Sequence, residues 1–135
     1  MFALHPQLES DSFFISDLKI SRLLLMNDAN YLWLILVPRK PGLVELIDLS
    51  FEEQMEVLFE INLLSEILKK NFSADKINIG ALGNVVSQLH IHVISRKKND
   101  VTFPKPVWGN AKAKAYAKDE AENLVQEIRK LLEKK

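Results

Sequence analysis

Cysteine is absent from this chain of 135 residues, which excludes disulfides, thiolate zinc sites and a cysteine nucleophile. An excess of charge of either sign is missing too. Lys plus Arg and Asp plus Glu number 18 each, so no global field draws in nucleic acid or a membrane surface. Any anion binding must come from local arrangement. No apolar stretch approaches the ~18 residues of a membrane span; the longest, Tyr31 to Val37, has the length of a strand. Met1-Phe2-Ala3-Leu4-His5-Pro6 carries no basic region ahead of an apolar core, so no signal peptide is read there. Internal repeats, low-complexity tracts and dividing linkers are also missing. The expectation is a single domain over residues 1–135, placed in a reducing cytoplasm, with no nucleic-acid and no membrane partner.

What is present is a regular alternation of elements. Phe13 to Ile15 and Ile20 to Met26 read as two strands of a hairpin, and Asn27-Asp28-Ala29-Asn30 as a turn. Tyr31 to Val37 reads as a third strand, closed by Pro38 and the Arg39-Lys40-Pro41-Gly42 turn. Ser50-Phe51-Glu52-Glu53 has the capping-box pattern that opens a helix. Its apolar positions are Met55, Leu58, Phe59, Ile61, Leu64, Ile67 and Leu68, and the helix is expected to stop near Asn71. Lys76 to Leu82 and Gln88 to Ser95 read as two more strands. From about Ala111 a last helix is predicted, with Leu124, Ile128, Leu131 and Leu132 as its apolar stripe. Short turns between the early strands make the sheet mainly antiparallel, so the fold class is α+β: five strands and two main helices.

One stretch carries chemistry. In Gln88-Leu89-His90-Ile91-His92-Val93-Ile94, a strand's period of 2 puts Gln88, His90 and His92 on one face and Leu89, Ile91 and Val93 on the other. A row of imidazoles at fixed spacing suits a nucleophile or a metal. Neutral imidazole is nucleophilic, and its attacking nitrogen needs the proton on the other nitrogen held by an acceptor.

The segment from Asn78-Ile79-Gly80 through Gly83-Asn84 to Gln88-Leu89-His90-Ile91-His92-Val93-Ile94 resembles the histidine triad (HIT) family of nucleotidyl hydrolases and transferases. Leu34-Ile35-Leu36-Val37-Pro38-Arg39 is similar to the family's strand that ends in proline and a basic residue. The resemblance implies a HIT-like fold, a homodimer and a nucleotide as small-molecule substrate, with no cofactor and no protein-bound metal. It implies displacement at the α-phosphate of a nucleoside phosphoramidate or dinucleoside polyphosphate, with His90 as nucleophile. His92 would orient and stabilise. The main-chain carbonyl at Gln88 would hold the proton of His90, while the Gln88 amide, in place of the first triad histidine, would donate to a phosphate oxygen. Asn84 and Gly83 match the phosphate-contacting turn, Asn78 the upstream asparagine, and Asn27 or Asp28 a ribose-binding position. Trp33 stands where many members carry a fourth histidine, and Trp108 matches a tryptophan that covers the pocket. Arg96 shares the parity of His90 and His92.

Two other readings stand beside it. A nucleotide sensor without turnover would use the same fold, since Gln88 and Trp33 both depart from the family pattern. A His-x-His metal site would need a third ligand from His5 or a carboxylate.

Overall fold

The chain enters the fold through a short helix, α1 (Pro6–Ser10), that runs directly into a three-stranded antiparallel meander. Its strands are β1 (Ser12–Asp17), β2 (Ser21–Met26) and β3 (Leu32–Pro38). A 3-10 turn over Leu46–Asp48 leads to the long helix α2 (Phe51–Phe72), and β4 (Lys76–Gly80) and β5 (Ile91–Arg96) follow. The closing helix is α3 (Lys118–Glu133). This computed structural model describes all 135 residues. The five strands form one sheet in the order β1-β2-β3-β5-β4, every neighbouring pair antiparallel, so the expected α+β class and strand count hold. No helix is long and apolar enough to cross a membrane.

Alternation along β3 and β5 divides the apolar side chains between two cores. Leu34, Leu36, Ile91 and Val93 belong to the larger one, under α2 and α3, with Val57, Leu64, Leu68, Val125 and Ile128. Trp33, Ile35, Val37 and Ile94 face the other way and meet Leu8 of α1, Val86 and Val107. Full burial of one such side chain contributes roughly 1.5–3 kcal/mol. The second core therefore fixes the sheet face opposite the long helices, and His92 lies on that face. In register it sits between Ile35 of β3 and Gly80 of β4.

The capping box at α2 is formed in both directions: Glu53 N–H donates to Ser50 Oγ at 3.1 Å, and Ser50 N–H donates to the Glu53 carboxylate at 2.8 Å. Two satisfied N-terminal donors explain why the helix begins there. Its far end closes on Ser73 in the left-handed conformation (φ 54°). The apolar stripe is only partly inward. Leu64, Ile67 and Leu68 are buried, but Met55, Leu58 and Phe59 are more than half exposed. A carboxylate takes an inward position instead. Glu60, only 2% exposed, accepts the Ile20 N–H at 2.9 Å.

The strand read over Lys76 to Leu82 ends at Gly80, and three further elements depart from the sequence reading. The last strand starts at Ile91 and not at Gln88, because the partner ladders run out: Ile91 pairs with Leu36, and Gly80 pairs with His92. The preceding main chain is claimed elsewhere, since Leu89 N–H donates to Leu43 C=O at 2.9 Å. The final helix starts at Lys118 and not near Ala111. Residues 111–117 are tied to the β2–β3 turn, where Ala29 N–H donates to Lys114 C=O and Tyr116 N–H donates to Asn27 Oδ1. α1 was not expected at all; Pro6 at its first position and His5 as its cap are its local signals.

Candidate active site

The site is built around β5 and the turn that feeds it. His90 immediately precedes the strand and His92 lies within it, and both are buried, at 7% and 6% exposure. Their ring centroids are 4.9 Å apart, edge to face. His90 Nδ1 lies 2.7 Å from the Gln88 carbonyl oxygen. A carbonyl only accepts, so the ring proton must sit on Nδ1, which leaves Nε2 with a free lone pair.

His92 is fixed in the opposite sense. Trp33 on β3 donates its indole N–H to His92 Nδ1 at 2.9 Å. An indole nitrogen only donates, so the proton of neutral His92 is on Nε2. Burial, and secondarily the adjacent His90 ring, push the His92 pKa down to about 3, so it stays neutral. Trp33 thus occupies both a core and a site position. Its ring packs at 5.6 Å from His92 and 6.1 Å from Trp108.

Trp108 closes the cluster from the loop beyond β5, its centroid 5.2 Å from His92. It can come this near because β4 ends in a residue without a side chain. A Cβ on Gly80 would meet Trp108 Cη2 at 3.1 Å. The sequence carries that signal as a glycine inside a strand. The buried indole N–H of Trp108 has no partner within the chain.

These groups border a cavity of about 310 Å³. Its walls combine apolar side chains, Leu8, Met26, Ile35, Leu82, Val85 and Val86, with His90, His92, Trp33 and Trp108. Gly83 and Asn84 form the rim on the β4–β5 connection. Gly83 adopts φ +67°, the left-handed region that glycine enters without penalty. No lysine or arginine lines the cavity.

Other residues singled out in the sequence lie elsewhere. Asn78 Oδ1 accepts from Arg96 Nη1 at 2.8 Å, and Arg96, 1% exposed, also holds Asp100 through two bonds. Arg96 therefore faces an internal cluster and not the cavity. Asn27 and Asp28 anchor residues 114–116, and Asp28 also accepts the Asn30 N–H at 3.0 Å. The Gln88 side chain turns to the N-terminal segment, accepting from His5 N–H at 2.8 Å and donating to Ala3 C=O at 2.9 Å. His5 caps α1 through Nδ1, which accepts the Gln7 N–H. Sequence reasoning missed the α1 wall, where Gln7, Leu8 and Asp11 all border the cavity.

A five-stranded antiparallel sheet with an edge-to-face imidazole pair at its cavity defines the class to which the comparisons point. The profile of the HIT domain matches residues 7–99. Several crystal structures of histidine triad proteins cover nearly the whole chain. The one from Bradyrhizobium japonicum is 43% identical, with 96% of each chain covered and a TM-score of 0.92. The one from Marinobacter aquaeolei is 40% identical, covers 99% of this chain and 98% of its own, and has a TM-score of 0.95. At 19% identity, a hypothetical histidine triad nucleotide-binding protein from Sulfolobus tokodaii shares the fold, with a TM-score of 0.70 over 91% of this chain and 85% of its own. No curated protein matches. The chain belongs to the HIT domain family.

Proposed function

We propose that this protein is a nucleotidyl hydrolase or transferase that works through a nucleotidyl-His90 intermediate. The observation that carries the reading is the 2.7 Å bond from His90 Nδ1–H to the Gln88 carbonyl, which leaves a lone pair on Nε2 of a buried, cavity-lining ring. In the first step Nε2 attacks the α-phosphorus, a P–N bond forms, and the leaving group departs with the electrons of its bond to phosphorus, an amine taking up a proton from solvent as it leaves. In the second step water attacks the same phosphorus, its proton passes to solvent, and the nucleoside monophosphate is released as His90 recovers its lone pair. His92, neutral with its proton on Nε2, is a hydrogen-bond donor for a phosphate oxygen. Asn84 at the rim supplies an amide for the same group, and the apolar walls suit a nucleobase. The substrates proposed are nucleoside phosphoramidates or dinucleoside polyphosphates.

A homodimer is part of this reading. Phe51, Met55, Leu58 and Phe59 form an outward apolar stripe on α2, and β4 is an unpaired sheet edge; both favour coverage by a second copy.

Two observations favour binding without turnover as the second reading: the Gln88 amide is engaged with the N-terminal segment, and Trp33 cannot relay a proton. The metal reading has less behind it. His5 is used as a helix cap, and no three His, Asp or Glu side chains are grouped to hold an ion.

Wild type and His90→Ala should be incubated with adenosine and guanosine 5′-phosphoramidates. Monophosphate release by wild type alone, with an acid-labile adduct one nucleotidyl group heavier, is the expected result. Equal release by both proteins would sink the enzyme reading, and tight binding with no release would select the sensor.

A further inference from the structure

We infer that Gln88 is a positioning residue for the nucleotide site, whose side-chain amide clips the N-terminal segment in place so that α1 lines the cavity that holds the histidines. The inference rests on the nucleotide-site reading and assigns Gln88 a part different from phosphate contact.

The clip has an amide's geometry. Oε1 and Nε2 sit side by side, one accepting from His5 N–H at 2.8 Å and the other donating to Ala3 C=O at 2.9 Å. The side chain thereby acts as one peptide unit of a β-ladder laid against residues 3–5. A neutral imidazole also has one donor and one acceptor, but on opposite sides of its ring, so it cannot make this paired contact. The replacement of histidine by glutamine at this position is what makes the clip possible.

Its effect reaches the cavity in two short steps. His5, held through its main-chain N–H, caps α1 through its side chain: Nδ1 accepts the Gln7 N–H at 3.0 Å. Gln7 in turn donates Nε2–H to Asp11 Oδ2 at 2.8 Å, and Gln7, Leu8 and Asp11 border the cavity shared with His90 and His92. The far end of α1 is fixed to the sheet by Asn27 N–H donating to Asp11 C=O at 2.9 Å. Asp11 is the only carboxylate among the lining residues, so this wall suits hydroxyl or amino donors of a ligand and not its phosphate. The main-chain carbonyl of Gln88 holds the His90 proton while its side chain holds the α1 wall, so one residue ties the nucleophile to the ligand-binding wall.

Four proteins test this: wild type, Gln88→Ala, Gln88→His, and Gln88→Glu, which keeps the acceptor for His5 and loses the donor to Ala3. Amide hydrogen exchange over residues 3–11 and AMP affinity by calorimetry are the readouts, with kcat and KM where turnover is present. The Ala and His variants should exchange at His5 and Gln7 about tenfold faster and bind AMP about tenfold more weakly, the worth of roughly one net hydrogen bond. The Glu variant should fall between them and wild type, and KM should rise with kcat nearly kept, because the main-chain carbonyl at position 88 is untouched. Unchanged exchange in the Ala and His variants would overturn the inference, as would a loss confined to kcat, which marks direct contact with the reacting phosphate. A wild type that binds no AMP would sink the nucleotide reading and the wall's assigned role with it. In that outcome exchange alone still decides whether the clip exists.

Discussion

Acid should destabilise this protein through His92 in a window that can be worked out from the structure. The ring is 6% exposed, and burial, assisted by the neighbouring His90, lowers its pKa from 6.5 to about 3. The folded value lies below the unfolded one, so the stability tied to neutral His92 is complete above pH 6.5 and is lost progressively as pH falls toward 3. At pH 5 the unfolded chain takes up a proton that the folded chain refuses. The linkage relation puts that penalty at about 2 kcal/mol relative to pH 7. The assay is urea unfolding at both pH values, on wild type and on His92→Asn. Asparagine keeps a carbonyl oxygen near the Nδ1 position for the Trp33 N–H and removes the titration. Groups common to both proteins, Glu60 and Asp100 among them, cancel in the comparison. Wild type should lose about 2 kcal/mol more than the variant between pH 7 and pH 5. Equal losses would refute the reasoning.

Two further substitutions test neighbouring parts of the same face. Trp33→Phe removes the only donor to buried His92 Nδ1, and an unsatisfied buried acceptor costs about 1–3 kcal/mol. Its ring-nitrogen NMR shifts should also report a mixed His92 tautomer, so an unchanged melting temperature together with unchanged shifts would count against the bond. Arg96→Met strips two charge-assisted bonds from Asp100, whose side chain is 5% exposed. Burial alone would raise the Asp100 pKa; the Arg96 side chain and the N–H groups of Lys97, Phe103 and Thr102 outweigh it and hold the value at about 2. A loss of about 3–5 kcal/mol is expected when one partner of a buried pair is removed, and a loss below about 1 kcal/mol would show that the cluster is not stabilising.

The strands, the long helix and the histidine pair were legible in the sequence because each leaves a periodic or capped trace. Ser50 and Glu53 mark the start of α2, and the alternation through Trp33 to Val37 matches a strand with a core on either side. What was not legible depends on partners distant in sequence. The parity of Gln88 continues that of His90 and suggests a strand start, yet strand pairing needs a neighbour, and none extends that far. The family resemblance alone makes Asn78 and Asp28 candidate ligand contacts, whereas their partners, Arg96 and Lys114, lie 18 and 86 residues away. Glu60 reads as the polar side of a helix, and its inward position follows from the N–H of Ile20 on the adjoining hairpin. α1 is only five residues long, too short for periodicity to reveal, and it forms one wall of the cavity.

The two cavity histidines are the same residue type two positions apart, but they are not the same chemical group. A main-chain carbonyl keeps the proton of His90 on Nδ1, and an indole keeps that of His92 on Nε2. In the neutral tautomers these bonds favour, one Nε2 carries a lone pair and the other a proton. Exchanging the two tautomers would cost each ring the bond that holds it. The order of proton and lone pair is therefore set by the fold, in a chain that has no cysteine to fix any of it covalently.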